Sequence, residues 1–136
     1  MLQKKVKILL IENDEMEIFK FKRALSSKFS DFTIIFANNG KEALSILENC
    51  FPDIILLDLN MPDINGFDFL TNVKNLSQIK HIPIIVLTTS NNINDIKKCY
   101  KLGIAGYLLK SLNDEDYLIK INKIMKYWSV NDFIRK

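Results

Sequence analysis

Five short runs of aliphatic and β-branched residues recur along the chain at similar spacing: Val6 to Ile11, Phe32 to Phe36, Asp53 to Leu57, Ile84 to Thr88 and Ala105 to Leu109. They predict strands. Four of them are nearly continuous in apolar character instead of alternating, which is the pattern of a parallel strand buried on both faces. Between and after them, apolar residues return with helical spacing over roughly Glu15 to Phe29, Lys41 to Asn49, Phe67 to Leu76, Asn92 to Leu102 and Asp114 to Trp128. Several of these carry start signals. Asp14 with Glu17 three residues on resembles a capping box, Asn113 with Asp116 repeats it, and Asn92 precedes a run with Asp95 in its first turn. Gly40, Gly66, Gly103 and Gly106 fall at element ends.

This alternation predicts an α/β fold, (βα)5, most naturally a right-handed, doubly wound parallel sheet with helices on both faces. In the flavodoxin-like strand order 2-1-3-4-5, the functional crevice lies beyond the carboxyl ends of the strands, at the switch point between strands 1 and 3. Composition agrees with one globular domain: 136 residues, 48% apolar and 26% charged, enough to bury a core without disulfides or a structural metal. Cys50 and Cys99 form no CxxC pair or Cys/His cluster and read as reduced core thiols. No apolar run approaches the ~18 residues of a membrane span. The basic, apolar start meets Glu12 and Asp14 without a cleavage site, unlike a signal peptide, so a cytoplasmic location is expected. A net charge of +3 dispersed among 16 acidic residues is too mild to imply nucleic acid.

The chemistry gathers at the predicted strand ends. Strand 1 runs into Glu12, Asn13 and Asp14, strand 3 into Asp58, strand 4 into Thr88 and strand 5 into Lys110. Acidic residues after strands are also ordinary turn formers and N-caps, and Asp14 is partly one of these. Converging carboxylates repel unless a cation joins them, and an all-oxygen set suits a hard divalent ion, most naturally Mg²⁺. A hydroxyl and an ammonium facing that ion are what a phosphoryl group requires. A carboxylate is itself a competent nucleophile, and Asp58, alone at the centre of the edge, is the best placed.

The segments ILLIEND, DIILLDLNMPDINGFDFL, PIIVLTTS and GYLLK, in this order and spacing, resemble the receiver domain of two-component response regulators over essentially the whole chain. The block around Asp58 is highly specific. A weaker similarity, in TTSNN and the late Tyr127-Trp128 pair, is to the single-domain regulators paired with bacterial phytochromes. The resemblance implies that Asp58 is the phosphoacceptor and that Glu12 and Asp14 form the acidic pocket. Glu12, Asn13, Asp58 and, through its backbone carbonyl, Asn60 would serve Mg²⁺. Thr88 and Lys110 would bind phosphoryl oxygens, and Thr88 with Tyr107 would form the switch.

Two positions depart from the family pattern. Asn13 stands where the family normally has a metal-binding Asp, and losing a unit charge about 4 Å from another forfeits about 4 kcal/mol as an upper bound at an effective dielectric of about 20. Mg²⁺ affinity is expected to fall, unless Asp14 swings in at the expense of its cap, worth about 1 kcal/mol. Ser111 stands where the family has a cis proline. A cis bond before serine costs about 2.5–4 kcal/mol, so a trans bond and a displaced Lys110 are expected.

His81, the sole histidine, lies in a loop and lacks the helical setting of a relay phosphodonor; no nucleotide-binding glycine motif occurs. In the last helix Tyr117, Leu118, Ile121, Met125 and Trp128 mark one face, while Ile119 and Tyr127 lie off it. These two, with Val130, Phe133 and Ile134, imply a partner surface, a homodimer or a docking site; the competing expectation is that the tail folds back on its own domain.

The resulting expectation is a receiver domain over residues 1–128 with a short tail, 129–136, and no output domain. It is a signalling module and not an enzyme. A sensor histidine kinase or phosphotransfer protein would phosphorylate it in a phosphorelay, and a downstream protein would read the helix 4, strand 5, helix 5 face. The alternative is a degenerate receiver that binds partners independently of phosphorylation because Asn13 has weakened the metal site. A phosphatase with an aspartate nucleophile is disfavoured, since it needs an acid two residues after Asp58, where Asn60 stands.

Overall fold

The structure is a computed structural model and describes residues 5–26, 32–59, 65–110 and 113–134. Strands and helices alternate as β1 (Val6–Ile11), α1 (Glu15–Ser26), β2 (Phe32–Ala37), α2 (Gly40–Leu47), β3 (Ile54–Asp58), α3 (Gly66–Lys74), β4 (Ile84–Thr88), α4 (Ile93–Lys101), β5 (Gly106–Leu109) and α5 (Asp114–Ser129). All strand pairs are parallel and the sheet order is β2-β1-β3-β4-β5. This is the expected (βα)5 arrangement. Every residue of β3 and β4 is buried, whereas the edge strands β2 and β5 are only partly covered. Three of the four near-continuous apolar runs thus belong to strands with neighbours on both sides, and the fourth belongs to an edge strand.

Successive strand residues point to opposite faces, and each face has its own core. Leu9, Ile11, Ile55, Leu57, Ile84 and Val86 pack with Leu47 of α2, Phe69 and Leu70 of α3 and Cys99 of α4. Ile8, Leu10, Ile54, Leu56, Ile85 and Leu87 pack with Phe21 of α1 and Tyr117, Ile121 and Met125 of α5. Of the face expected on the last helix, Tyr117, Ile121 and Met125 are buried while Leu118 and Trp128 are half-buried beside them; Ile119 and Tyr127 are exposed. The tail divides. Phe133 stacks on Trp128 with ring centroids 6.0 Å apart and packs against the α1/α5 core, whereas Val130 and Ile134 remain exposed.

Some boundaries and caps differ from expectation. Asp53 precedes β3: its amide donates to the Lys7 carbonyl (2.8 Å) and its carboxylate accepts from the Lys7 amide (2.9 Å), a side-chain clamp that sequence periodicity does not distinguish from strand pairing. Asp14 caps α1 by accepting from the Met16 amide at 2.9 Å, but Glu17 does not complete a capping box; its carboxylate pairs with Lys20 at 3.6 Å. A reciprocal arrangement occurs instead at α2, where Asn39 accepts from the Glu42 amide (2.8 Å) and Glu42 accepts from the Asn38 amide (3.1 Å).

Both cysteines are free, but only Cys99 is a core thiol; Cys50 is half-buried and lines a surface depression with Lys5, Lys7 and His81. Burial, reinforced by the Asp95 carboxylate and partly offset by Lys98, pushes the Cys99 thiol from 9.0 up to about 11. Between those values the unfolded chain has released a proton that the folded chain retains, so this group's contribution to stability falls as pH rises through that window. A thiol-exchange reagent at pH 8 is therefore expected to titrate Cys50 in the native protein and Cys99 only after unfolding. Equally fast reaction of both thiols contradicts this burial.

Candidate functional site

The strand register assembles the site. Ile11 pairs with Leu57 and Asp58 with Leu87, so Glu12, one residue beyond β1, comes level with Asp58 at the sheet's carboxyl edge. Its amide donates to the Ala37 carbonyl at 3.0 Å, which extends β1 pairing through that position. Thr88 pairs with Leu109, and the Lys110 amide donates to the Thr88 carbonyl at 2.8 Å. Alternation then places Glu12, Asp58 and Lys110 on the α1/α5 side of the sheet.

Their side chains meet there. The Lys110 ammonium lies 2.5 Å from Glu12 Oε1 and 3.5 Å from Asp58 Oδ2, with all three side chains largely buried. The displacement expected of Lys110 is not found: its backbone is held to β4 and its ammonium to two carboxylates. Ser111 and Asn60 lie outside the described residues. Burial, with the hydrogen bond to Asp58, raises the Glu12 carboxyl from 4.5 to about 7 even though Lys110 opposes the shift. For Lys110 burial acts downward, but Glu12, Asp58 and Glu17 together outweigh it and hold the ammonium above its ordinary range. Two buried carboxylates therefore share one cation.

The crevice above them, about 380 Å³, is lined by Glu12, Asn13, Asp14, Glu17, Asp58, Thr89 and Lys110. Asn13 and Asp14 are exposed at its rim, and Asp14 remains engaged as the α1 cap. Among the described residues no group of three or more His, Cys, Asp and Glu side chains is arranged to hold a metal ion. The buried pair Glu12 and Asp58, with amide and carboxylate oxygens at the rim, is nonetheless an all-oxygen donor set, and with Lys110 the buried part alone carries one more negative than positive charge when both carboxyls are ionised. That chemistry fits a hard divalent cation.

Thr88 and Tyr107 lie on the other side. Thr88 follows Ile84 and Val86 in the strand alternation and is fully buried, so the crevice wall is formed by the next residue, Thr89. Tyr107 packs against the α2/α3/α4 core, and its hydroxyl donates to the Ser90 carbonyl at 2.7 Å. Sequence reasoning brought Thr88 to the correct edge but missed Thr89 and Glu17. Glu17 was legible in principle, since it lies in the first turn of the helix that directly follows Asn13 and Asp14.

The chain after Asp58 is positioned by Gly66. Its amide donates to the Leu59 carbonyl at 3.1 Å, and a Cβ at residue 66 would lie 2.7 Å from Leu59 Cα. Only glycine permits this approach of α3 to β3. Gly66→Ala is expected to cost about 1–3 kcal/mol through overpacking, read as a lower denaturation midpoint with unchanged slope; an unaltered midpoint contradicts the close approach.

The family model of the response regulator receiver domain matches residues 8–122, and the chain belongs to this family. It is 32% identical over 128 residues to the response regulator Rcp1 of Synechocystis, covering 89% of this chain and 87% of that protein. It is 31% identical over 127 residues to the probable methanogenesis regulatory protein FilR2 of Methanothrix harundinacea, covering 89% of this chain and 82% of that protein. Among solved structures, the phosphorylated cyanobacterial phytochrome response regulator RcpA superposes with a TM-score of 0.90 at 29% identity, covering 97% of this chain and 99% of that one. The similarity to phytochrome-associated regulators expected from the TTSNN and Tyr127-Trp128 segments is thus found across the fold.

Proposed function

We propose that the chain accepts a phosphoryl group on Asp58 from a sensor histidine kinase or a phosphotransfer protein and passes the signal on through protein contacts. The observation that carries this reading is the buried Glu12, Asp58 and Lys110 cluster in the crevice of a receiver fold. In the transfer, an Asp58 carboxylate oxygen forms the new bond to phosphorus as the bond to the donor's histidine nitrogen breaks, and that nitrogen retains its electron pair. Lys110 faces the reacting carboxylate and neutralises charge on it and on the incoming group. The buried Thr88 hydroxyl, at the end of β4, is proposed to turn to a phosphoryl oxygen, with Tyr107 repacking as the second part of the switch.

The carboxylates of Glu12 and Asp58, with Asn13 at the rim and the backbone carbonyl of Asn60, are proposed to hold Mg²⁺, which when bound supplies the positive charge that Lys110 alone does not. In support, the similar regulator Rcp1 has been solved in a Mn²⁺-bound form and RcpA in a phosphorylated form. Asp14, engaged as a cap, completes the acidic pocket without leaving its helix.

The proposed output face is formed by α4, β5 and α5. It carries a groove of about 370 Å³ whose lining includes Tyr100, Tyr107, Lys123, Tyr127 and Trp128, with Tyr100 and Tyr127 more than half exposed. A downstream protein or a second copy of the chain would bind there; Phe133, covered by its own domain, is not available to it. Asn13, uncharged at the rim of the crevice, favours the second reading, a receiver that binds partners without phosphorylation.

Titration with Mg²⁺ and beryllofluoride, followed by amide resonances, separates the two. Saturation at low millimolar Mg²⁺ with changes reaching Tyr107, lost in Asp58→Asn, is the expected result. Asn13→Asp is expected to tighten Mg²⁺ about 10-fold or more, which is about 1.4 kcal/mol of the charge term. No response in the parent chain, restored by Asn13→Asp, selects the phosphorylation-independent module.

A further inference from the structure

We propose that the hydroxyl bond from Ser90 to Asp95 is the link through which the state of Thr88 reaches helix α4 in this chain. The inference rests on the receiver reading for the role of Thr88.

A ladder of side-chain acceptors runs from the end of β4 to the start of α4. The Ser90 amide donates to Thr88 Oγ1 (3.3 Å), the Asn92 amide to Ser90 Oγ (3.3 Å), and the Asn94 amide to Asn92 Oδ1 (2.8 Å). Each even-numbered side chain thus fixes the amide two residues ahead. Such local bonds set loop conformation directly.

Two further bonds leave the ladder, both at Ser90. Its carbonyl accepts from the Tyr107 hydroxyl at 2.7 Å, and its hydroxyl donates to Asp95 Oδ2 at 2.6 Å. A serine hydroxyl has one proton, so that proton is committed to Asp95 while an oxygen lone pair serves Asn92. A hydroxyl donating to a carboxylate is short and about twice as strong as a neutral bond. Asp95 lies in the first turn of α4, and its charge also reaches Tyr107 and Cys99, raising both groups.

The backbone torsions of Ser90 lie between the amide held by Thr88 and the carbonyl that holds Tyr107, while its side chain ties the same residue to α4. Turning the Thr88 hydroxyl toward the crevice removes the acceptor of the Ser90 amide. Reorientation of Ser90 then displaces both remaining anchors, and the two branches are separable: Ser90→Ala removes the hydroxyl and leaves the carbonyl.

The test compares amide and Tyr107 ring resonances of the full chain on replacing Thr88 with valine, which keeps its shape and loses the hydroxyl. In the parent, Thr88→Val is expected to shift Asn94 to Ile96 and Tyr107 together. In the Ser90→Ala background the α4 shifts should fall at least threefold while Tyr107 still responds, and Ser90→Thr should restore them. If Ser90→Ala does not fold, Asp95→Ala breaks the same bond from the other side. The proposal is overturned if Thr88→Val leaves α4 unmoved in the parent, if α4 responds equally without the Ser90 hydroxyl, or if both branches fall together. Because this comparison needs no phosphoryl group, it decides the role of Ser90 separately. Absence of any beryllofluoride response in the parent would count against the phosphorylation reading alone.

Discussion

Two carboxylates, Glu12 and Asp58, are withdrawn from water at the carboxyl edge of adjacent parallel strands, and a single ammonium, Lys110, answers them. The arrangement follows from backbone pairing. Once Ile11 is registered with Leu57, the next residues of β1 and β3 must stand side by side, and the same alternation that makes Leu10 and Leu56 core makes Glu12 and Asp58 inward-facing. Burial then acts against their charge. Glu12 yields by holding its proton to about pH 7, while Lys110 is held in its charged form by both neighbours. Burial and the shared ammonium together set the charge carried at this edge.

Sheet alternation also separates the buried ion cluster from Thr88 and Tyr107. Glu12, Asp58 and Lys110 belong to the α1/α5 side; Thr88 and Tyr107 belong to the side covered by α2, α3 and α4. The segment that follows β4 spans this divide: the Ser90 amide donates to Thr88 Oγ1, while Ser90 is also bonded to Asp95 of α4 and Tyr107 of β5.

Much of this was legible in the sequence, for identifiable reasons. The three interior strands announced themselves because burial on both faces leaves no room for polar alternation, and the order of Glu12, Asp58, Thr88 and Lys110 followed from where those strands stop. The side of the sheet each residue takes was less accessible, since it depends on register: Thr88 and Thr89 are equivalent as a sequence pair, and only the pairing of β4 makes one core and the other crevice wall. Asp53 escaped for a different reason, because a carboxylate clamping the Lys7 amide looks in sequence like one more strand residue. The displacement expected of Lys110 came from weighing one peptide bond in isolation. The β4 carbonyl fixes the Lys110 backbone and two buried carboxylates fix its ammonium.

Asn13 is intelligible within the same electrostatics. A carboxylate at this rim position would be a third negative charge near a pair already served by one ammonium, and would press Glu12 still further toward its protonated form. Asparagine keeps oxygen at the rim without that repulsion. Because Lys110 approaches Glu12 more closely than Asp58, a change of charge on Glu12 alters how strongly the ammonium is drawn from Asp58. The protonation of Glu12 is thus coupled to the electrostatic environment of Asp58 through one shared lysine.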